Sequence, residues 1–66
     1  MLYISKKIID NLPDDIVAKV SAMSEQRQTL FECYYSRFDE ENLKSRIVLN
    51  ALMEHVINFQ FLNGKD

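Results

Sequence analysis

Residues 43–62 read LKSRIVLNALMEHVINFQFL, and this stretch decides the fold prediction. On a helical wheel of about 100° per residue, its apolar side chains point in almost every direction. The polar side chains form one narrow stripe, which consists of Arg46, Asn50, Glu54 and Asn58. A helix with so little polar surface must be buried on several sides. The stretch therefore predicts a helix that packs against a helix of its own chain and against a second chain.

The ends of this helix are marked by residues that favour helix termini. Asp39 is suited to an N-cap, and Glu40 and Glu41 place carboxylates near the positive end of the helix dipole. Asn63 and Gly64 supply a C-terminal stop. We therefore expect a helix over residues 40–62.

A second apolar stripe predicts another long helix before it. Pro13 is tolerated at a first helical position, and Asp14 and Asp15 complement the helix dipole. The polar run 24–29 does not reset the phase of the stripe, so the prediction is one helix over 13–37. The apolar stripe consists of Ile16, Val17, Val20, Met23, Leu30, Phe31, Tyr34, Tyr35 and Phe38.

The short connection between the two helices predicts an antiparallel pair. Residues 1–12 are expected to form a short helix, with Ser5 as its cap, or an extended arm. The whole chain, residues 1–66, is predicted to be a single small all-α domain.

A chain of 66 residues is at the lower size limit for a stable core. Cys33 is the only cysteine, so no disulfide can form within one chain. Cys33 and His55 are too few for a structural zinc site, which takes four ligands. Self-association is the remaining source of stability, so the sequence predicts a homodimeric four-helix bundle.

Charge and hydropathy favour a soluble protein with protein partners. The net charge is −2, and the eight basic residues are scattered along the chain, which makes nucleic acid a possible but less favoured partner. The longest apolar run is residues 47–49, so no membrane contact is expected. The N-terminus lacks the pattern of a secretory signal, and one unpaired cysteine suits a reducing compartment. The predicted location is cytoplasmic.

The sequence offers no recognisable catalytic chemistry. Gly64 is the only glycine, which excludes a glycine-rich phosphate loop. Cys33 has no histidine or second cysteine close in sequence to activate it. We therefore predict a non-enzymatic protein with no catalytic residue, cofactor or metal.

The candidate functional residues are those expected at an oligomer or partner interface. His55 is interpreted as an ordinary interface histidine, with a pH switch as the alternative. Arg27 falls within the first apolar stripe and should meet a carboxylate or mark the edge of the interface. Tyr34 and its aromatic neighbours are expected in the core, with base stacking as the alternative. The predicted interface consists of Val48, Leu52, Val56, Phe59, Tyr35, Arg27 and His55.

Two local stretches resemble known families. Residues 12–20, LPDDIVAKV, resemble the strand-to-helix entry of ribbon-helix-helix repressors, and residues 45–52, SRIVLNAL, are similar to their second helix. About twenty residues separate the two stretches here, where those repressors have a short turn. Residues 49–59, with Leu49, Asn50, Leu52, Glu54, His55 and Phe59, resemble part of the enterobacterial Hha toxicity-modulator family.

Three function classes follow from these observations. The favoured one is a small regulator that acts by protein–protein interaction, such as a modulator, an antitoxin or an anti-factor. The alternative is a small dimeric DNA-binding transcriptional regulator, which the repressor-like stretches suggest. A structural subunit or assembly adaptor is the third.

Overall fold

A computed structural model describes residues 1–62, and these residues form an all-helical fold with no strand. The all-α prediction is confirmed. Five helices follow one another along the chain: α1 Lys6–Ile9, α2 Asp14–Ser21, α3 Glu25–Tyr35, α4 Glu40–Leu43 and α5 Arg46–Asn58.

The first twelve residues combine the two structures expected for them. Residues 1–5 are not helical, and α1 follows them. Ser5 is the N-cap residue of α1 through its backbone, since its carbonyl oxygen accepts from the N–H groups of Ile8 and Ile9 at 3.1 Å. Its hydroxyl makes no capping bond.

The predicted helix over 13–37 is two helices, α2 and α3, separated by residues 22–24. Ser24 has extended backbone angles, and its Oγ accepts from the N–H of Arg27 at 3.2 Å. This serine therefore begins a new helix inside the polar run. The apolar phase continues across the break because both helices face the same core, where Ile16, Val20 and Phe31 are fully buried.

The predicted helix over 40–62 is also divided, into α4 and α5. Ser45 caps α5, with its Oγ accepting from the N–H of Val48 at 3.4 Å. The helix ends at Asn58 because Phe59 has extended backbone angles, φ −67° and ψ 135°. The predicted stop at Asn63 and Gly64 lies outside the described residues. The two long antiparallel helices predicted from the sequence are therefore replaced by four shorter ones, α2 to α5.

Asp39 occupies the N-cap position of α4, as predicted, but its carboxylate makes no capping bond. Its backbone carbonyl accepts from the N–H of Leu43 at 3.1 Å. Leu43 then enters the core.

The core lies where α5 packs against α3 and α4. The polar stripe of α5 is exposed, as predicted from the sequence. The expected burial on several sides is not found within the chain, since Ile47 is 81 % exposed and Ile57 is 51 % exposed. The buried apolar residues are Ile4, Leu12, Ile16, Val20, Phe31, Leu43, Leu49, Leu52, Met53 and Val56.

One polar side chain, that of Gln28, is fully buried with this core. Its Oε1 accepts from the N–H of Tyr3 at 2.7 Å, and its Nε2 donates to the carbonyls of Met1 at 2.7 Å and Met23 at 3.1 Å. These bonds offset the cost of burying the amide. They also hold the N-terminal arm against α3, so that Ile4 reaches the core.

A half-exposed ion pair joins α2 to the start of α5. The guanidinium of Arg46 donates to the carboxylate of Asp15, and its Nε donates to Asn50 at 3.4 Å. The hydrogen bond from Arg46 lowers the pKa of Asp15 below its usual 3.8. Solvent exposure limits the contribution of this pair to stability.

Candidate protein-binding surface

Four aromatic rings follow one another along the surface where α3 meets α5. Tyr34 and His55 meet edge to face with 4.9 Å between ring centroids. His55 and Phe59 are 6.3 Å apart, and Phe59 and Phe61 are 5.0 Å apart. We call these four residues the aromatic row. Each separation is within the range in which aromatic pairs attract one another.

An arginine lies at each end of the aromatic row. The guanidinium of Arg37 is 5.6 Å from the ring centroid of Tyr34, and that of Arg27 is 5.3 Å from the ring centroid of Phe61. Both distances allow a cation–π interaction. Arg27 also donates to the carbonyl oxygen of Val56. This bond fixes the arginine between the C-terminal end of α5 and the row.

Local helix geometry assembles the row. His55 and Phe59 are four residues apart, so they lie on one side of α5 and its C-cap. The packing of α3 on α5 brings Tyr34 to His55. The extended backbone at Phe59 then directs the chain so that Phe61 meets Phe59. The row is half-buried except at His55, which is exposed.

A separate cleft of about 490 Å³ lies between α1, the end of α3 and α4. Tyr35 lines this cleft and packs on Phe31 at 5.8 Å between ring centroids. Burial raises the pKa of the Tyr35 phenol above its usual 10.0, and the Glu40 carboxylate raises it further. The cleft carries both charge signs, with Lys7 and Lys44 beside Glu32 and Glu40.

The seven residues predicted at an interface are distributed over four environments. Arg27, His55 and Phe59 lie together at the aromatic row. Tyr35 lines the cleft, and Val48 is half-buried on α5.

Leu52 and Val56 lie in the core of the single chain, at 5 % and 0 % exposure. Their apolar character is thus accounted for by packing within the chain. Both residues therefore belong to the core of the single chain and not to its surface.

Sequence reasoning missed the parts that Tyr34, Phe61 and Arg37 play in this surface. The apolar phase predicts Tyr34 in the core, whereas it is half-buried and in contact with His55. The three-residue spacing of Tyr34 and Arg37 is a recognisable signal for a contact along a helix. Phe61 follows the end of α5, and a helical wheel gives no indication of its position there.

The described part of the chain shows no candidate metal site and no helix that could span a membrane. Within residues 1–62, no three histidine, cysteine, aspartate or glutamate side chains lie close enough to hold a metal ion. No helix in this range has the length and the apolar character needed to cross a bilayer.

The chain matches no protein-family model, and comparisons with curated proteins and with solved structures found no match. The resemblance of residues 12–20 to a repressor strand-to-helix entry is not reflected in the fold, because residues 12 and 13 precede α2 without forming a strand. The stretch 49–59 that resembles the Hha family lies on α5 and its C-cap.

Proposed function

We propose that the protein is a small non-enzymatic regulator that binds a larger protein through the aromatic row. A modulator, an antitoxin or an anti-factor would each act in this way. The observation that carries the proposal is a row of four rings, partly exposed, with an arginine at each end. Aromatic residues and arginine are the types most enriched in the energetically important parts of protein interfaces.

The chemistry of the row also defines the partner surface that would fit it. The rings supply rigid apolar area, and they lose little side-chain entropy on binding because neighbouring rings already restrain them. Arg37 is exposed and available to a carboxylate. The expected partner surface is therefore apolar at its centre and acidic at the edge that meets Arg37.

The test is co-purification with a tagged chain and matched variants. Arg37→Glu and His55→Ala change exposed residues at the row, so both variants should fold. Lys19→Ala changes an exposed residue of α2 and serves as the control. The proposal predicts a protein that is captured by the wild type and by Lys19→Ala and is lost with both row variants. Equal capture by all four chains, or capture by none, would contradict it.

The proposal includes a homodimer, for which the exposed apolar residues of α5 are the support. In a four-helix bundle of two copies, α3 and α5 would supply the four helices, because they are the longest in the chain. We also propose a reducing compartment, such as the cytoplasm, since the thiol of Cys33 is free and exposed.

DNA binding is the second candidate, and one observation favours it. Residues 22–24 join α2 to α3, which is the connection length of a helix-turn-helix unit. The exposed face of α3, however, presents Glu25, Gln26, Thr29 and Cys33. Its single basic residue, Arg27, already donates to the Val56 carbonyl. A face without exposed basic residues is poorly suited to phosphates.

A gel-shift assay on genomic DNA fragments separates the two candidates. Binding by the DNA-binding candidate should weaken steeply between low and moderate salt, because it depends on phosphate contacts. The protein-binding proposal predicts no shift at either salt concentration.

A further inference from the structure

The cleft between α1, the end of α3 and α4 has a size suited to a small molecule. Its volume is about 490 Å³, and small-molecule sites in proteins usually measure roughly 300–1,000 Å³. α1 forms one wall of the cleft, but none of its own residues is buried. The chain is anchored in the core on either side of α1, by Ile4 and Leu12. This wall is therefore fixed at its two ends, which leaves space between it and α4.

Two opposite charges in the cleft are not used by the fold. Lys7 on α1 and Glu40 on α4 both line the cleft. Among residues 1–62, neither side chain forms an ion pair or a hydrogen bond, with each other or with a third residue. The other two charges of the lining are engaged, because Glu32 accepts a backbone N–H at 3.3 Å and Lys44 pairs with Glu41 at 3.7 Å.

The rest of the lining provides apolar surface beside these charges. Leu43 is buried, Ile8 is half-buried and Phe38 is 41 % exposed. Tyr35 lies with them, and its pKa is raised by burial and by the Glu40 carboxylate. The charge of Glu40 is therefore close to aromatic surface. An apolar group placed against Phe38 would be stabilised by leaving water.

We propose that this cleft binds a small zwitterion, whose carboxylate pairs with Lys7, whose ammonium pairs with Glu40 and whose apolar side chain lies against Phe38. Free amino acids and short peptides are the molecules with this chemistry. Two lysines and two glutamates make the lining neutral overall, which matches a ligand without net charge. A ligand that carries only one of the two charges would lose one charge-assisted hydrogen bond and bind more weakly.

This site is separate from the aromatic row. Tyr35 lines the cleft, whereas Tyr34 belongs to the row. Consecutive side chains of a helix point about 100° apart, so α3 presents these two tyrosines on different sides. Binding at the cleft therefore goes beyond the proposed protein-binding function, and either can fail without the other.

Chemical-shift mapping of the backbone amides, together with calorimetry, tests the site. L-phenylalanine and the dipeptide leucyl-leucine carry the two charges at different separations. Both are titrated, and the tighter binder distinguishes a free amino acid from a short peptide. The amide signals of residues that line the cleft should shift. For the tighter zwitterion, the N-acetyl derivative lacks the ammonium and the C-terminal amide derivative lacks the carboxylate, so each should bind about tenfold more weakly.

Variants of the two exposed charged residues assign each contact. Lys7→Met should weaken the zwitterion and its N-acetyl derivative about tenfold and leave the amide derivative unchanged. Glu40→Gln should weaken the zwitterion and the amide derivative and leave the N-acetyl derivative unchanged. Lys19→Met, which removes an exposed charge of α2, is the matched control and should change none of them. Circular dichroism verifies that all three variants fold.

Three results would overturn the proposed site. One is the absence of any shift of the cleft signals with either zwitterion at millimolar concentration. Another is equal binding of the zwitterion and its two derivatives, because apolar contact alone would produce it. The third is a set of shifts confined to the aromatic row, which would show that the probe packs on those rings instead.

Discussion

The two longest helices depart from a simple apolar-in, polar-out pattern in opposite directions. α3 buries a polar residue, Gln28, whereas α5 exposes two isoleucines, Ile47 and Ile57. The first departure is explained within the chain, because three hydrogen bonds satisfy the buried amide. The second has no such explanation in one chain. The contrast shows that the buried amide of α3 ties down the N-terminal residues, whereas the exposed isoleucines of α5 lie outside the face of that helix that its four core residues form.

Substitutions on the two faces of α5 should give the largest difference in stability. Leu52→Asp should prevent folding, because a carboxylate would be buried without a partner in the core. Ile47→Asp should fold normally, because its side chain faces solvent in the single chain. Circular dichroism and urea unfolding measure both outcomes. A folded Leu52→Asp variant would show that the core is misplaced.

The two faces of α3 give the next largest difference. Gln28→Leu should lower the free energy of unfolding by about 1–3 kcal/mol, because the Tyr3 N–H and the Met1 carbonyl lose their partner. Exchange of the Tyr3 amide hydrogen should become faster. Gln26→Leu, on the exposed face, should change the stability by less than about 0.5 kcal/mol. Equal effects would mean that the amide contacts do not stabilise the arm.

Removal of the N-caps of α3 and α5 should have a smaller effect on stability. Ser24→Ala and Ser45→Ala should each cost about 1 kcal/mol, because each removes a hydroxyl that accepts from a backbone N–H in the first turn. Ser5→Ala is the control, because its hydroxyl makes no capping bond. Thermal melts of the three variants measure their relative stabilities. A loss of stability in Ser5→Ala as large as that in the other two variants would contradict the assignment of Ser24 and Ser45 as the side-chain N-caps.

The ion pair between α2 and α5 predicts the smallest effect, and it depends on pH. Because Arg46 lowers the pKa of Asp15 in the folded chain, the pair stabilises the fold above pH 3.8. That contribution is lost as the pH falls through the lower folded value. Arg46→Gln should therefore lose less stability on acidification than the wild type. Parallel urea titrations at neutral and acidic pH measure this difference, and identical pH profiles would rule out the coupling.

The sequence predicts the helical class and the position of most helix starts, because capping residues and apolar phase are local signals. It does not predict the break at residues 22–24, since Ser24 can either continue a polar helical turn or cap a new helix. Whether the helix breaks at Ser24 depends on tertiary packing, because α2 and α3 must both pack against the same core. Gln28 illustrates the same limit, because its burial requires the N-terminal arm, which is distant in sequence.

The candidate surface was predictable only in part. Arg27, His55 and Phe59 were identified from their positions near the apolar stripes, and they do lie together at the aromatic row. The residues that contact them depend on where α5 ends. The helical wheel predicts a helix up to residue 62, whereas α5 ends at Asn58. The sequence places Leu52 at an interface because a helical wheel does not distinguish a core face from a face that meets another chain.

The most direct test of the proposed homodimer is sedimentation equilibrium of the unmodified chain over about a hundredfold range of concentration, with thermal melts on the same samples. A homodimer should give a mass of two chains at the highest concentration, a mass that falls on dilution, and a melting temperature that falls with it. A single-chain mass throughout, with a melting temperature independent of concentration, would contradict the proposed homodimer.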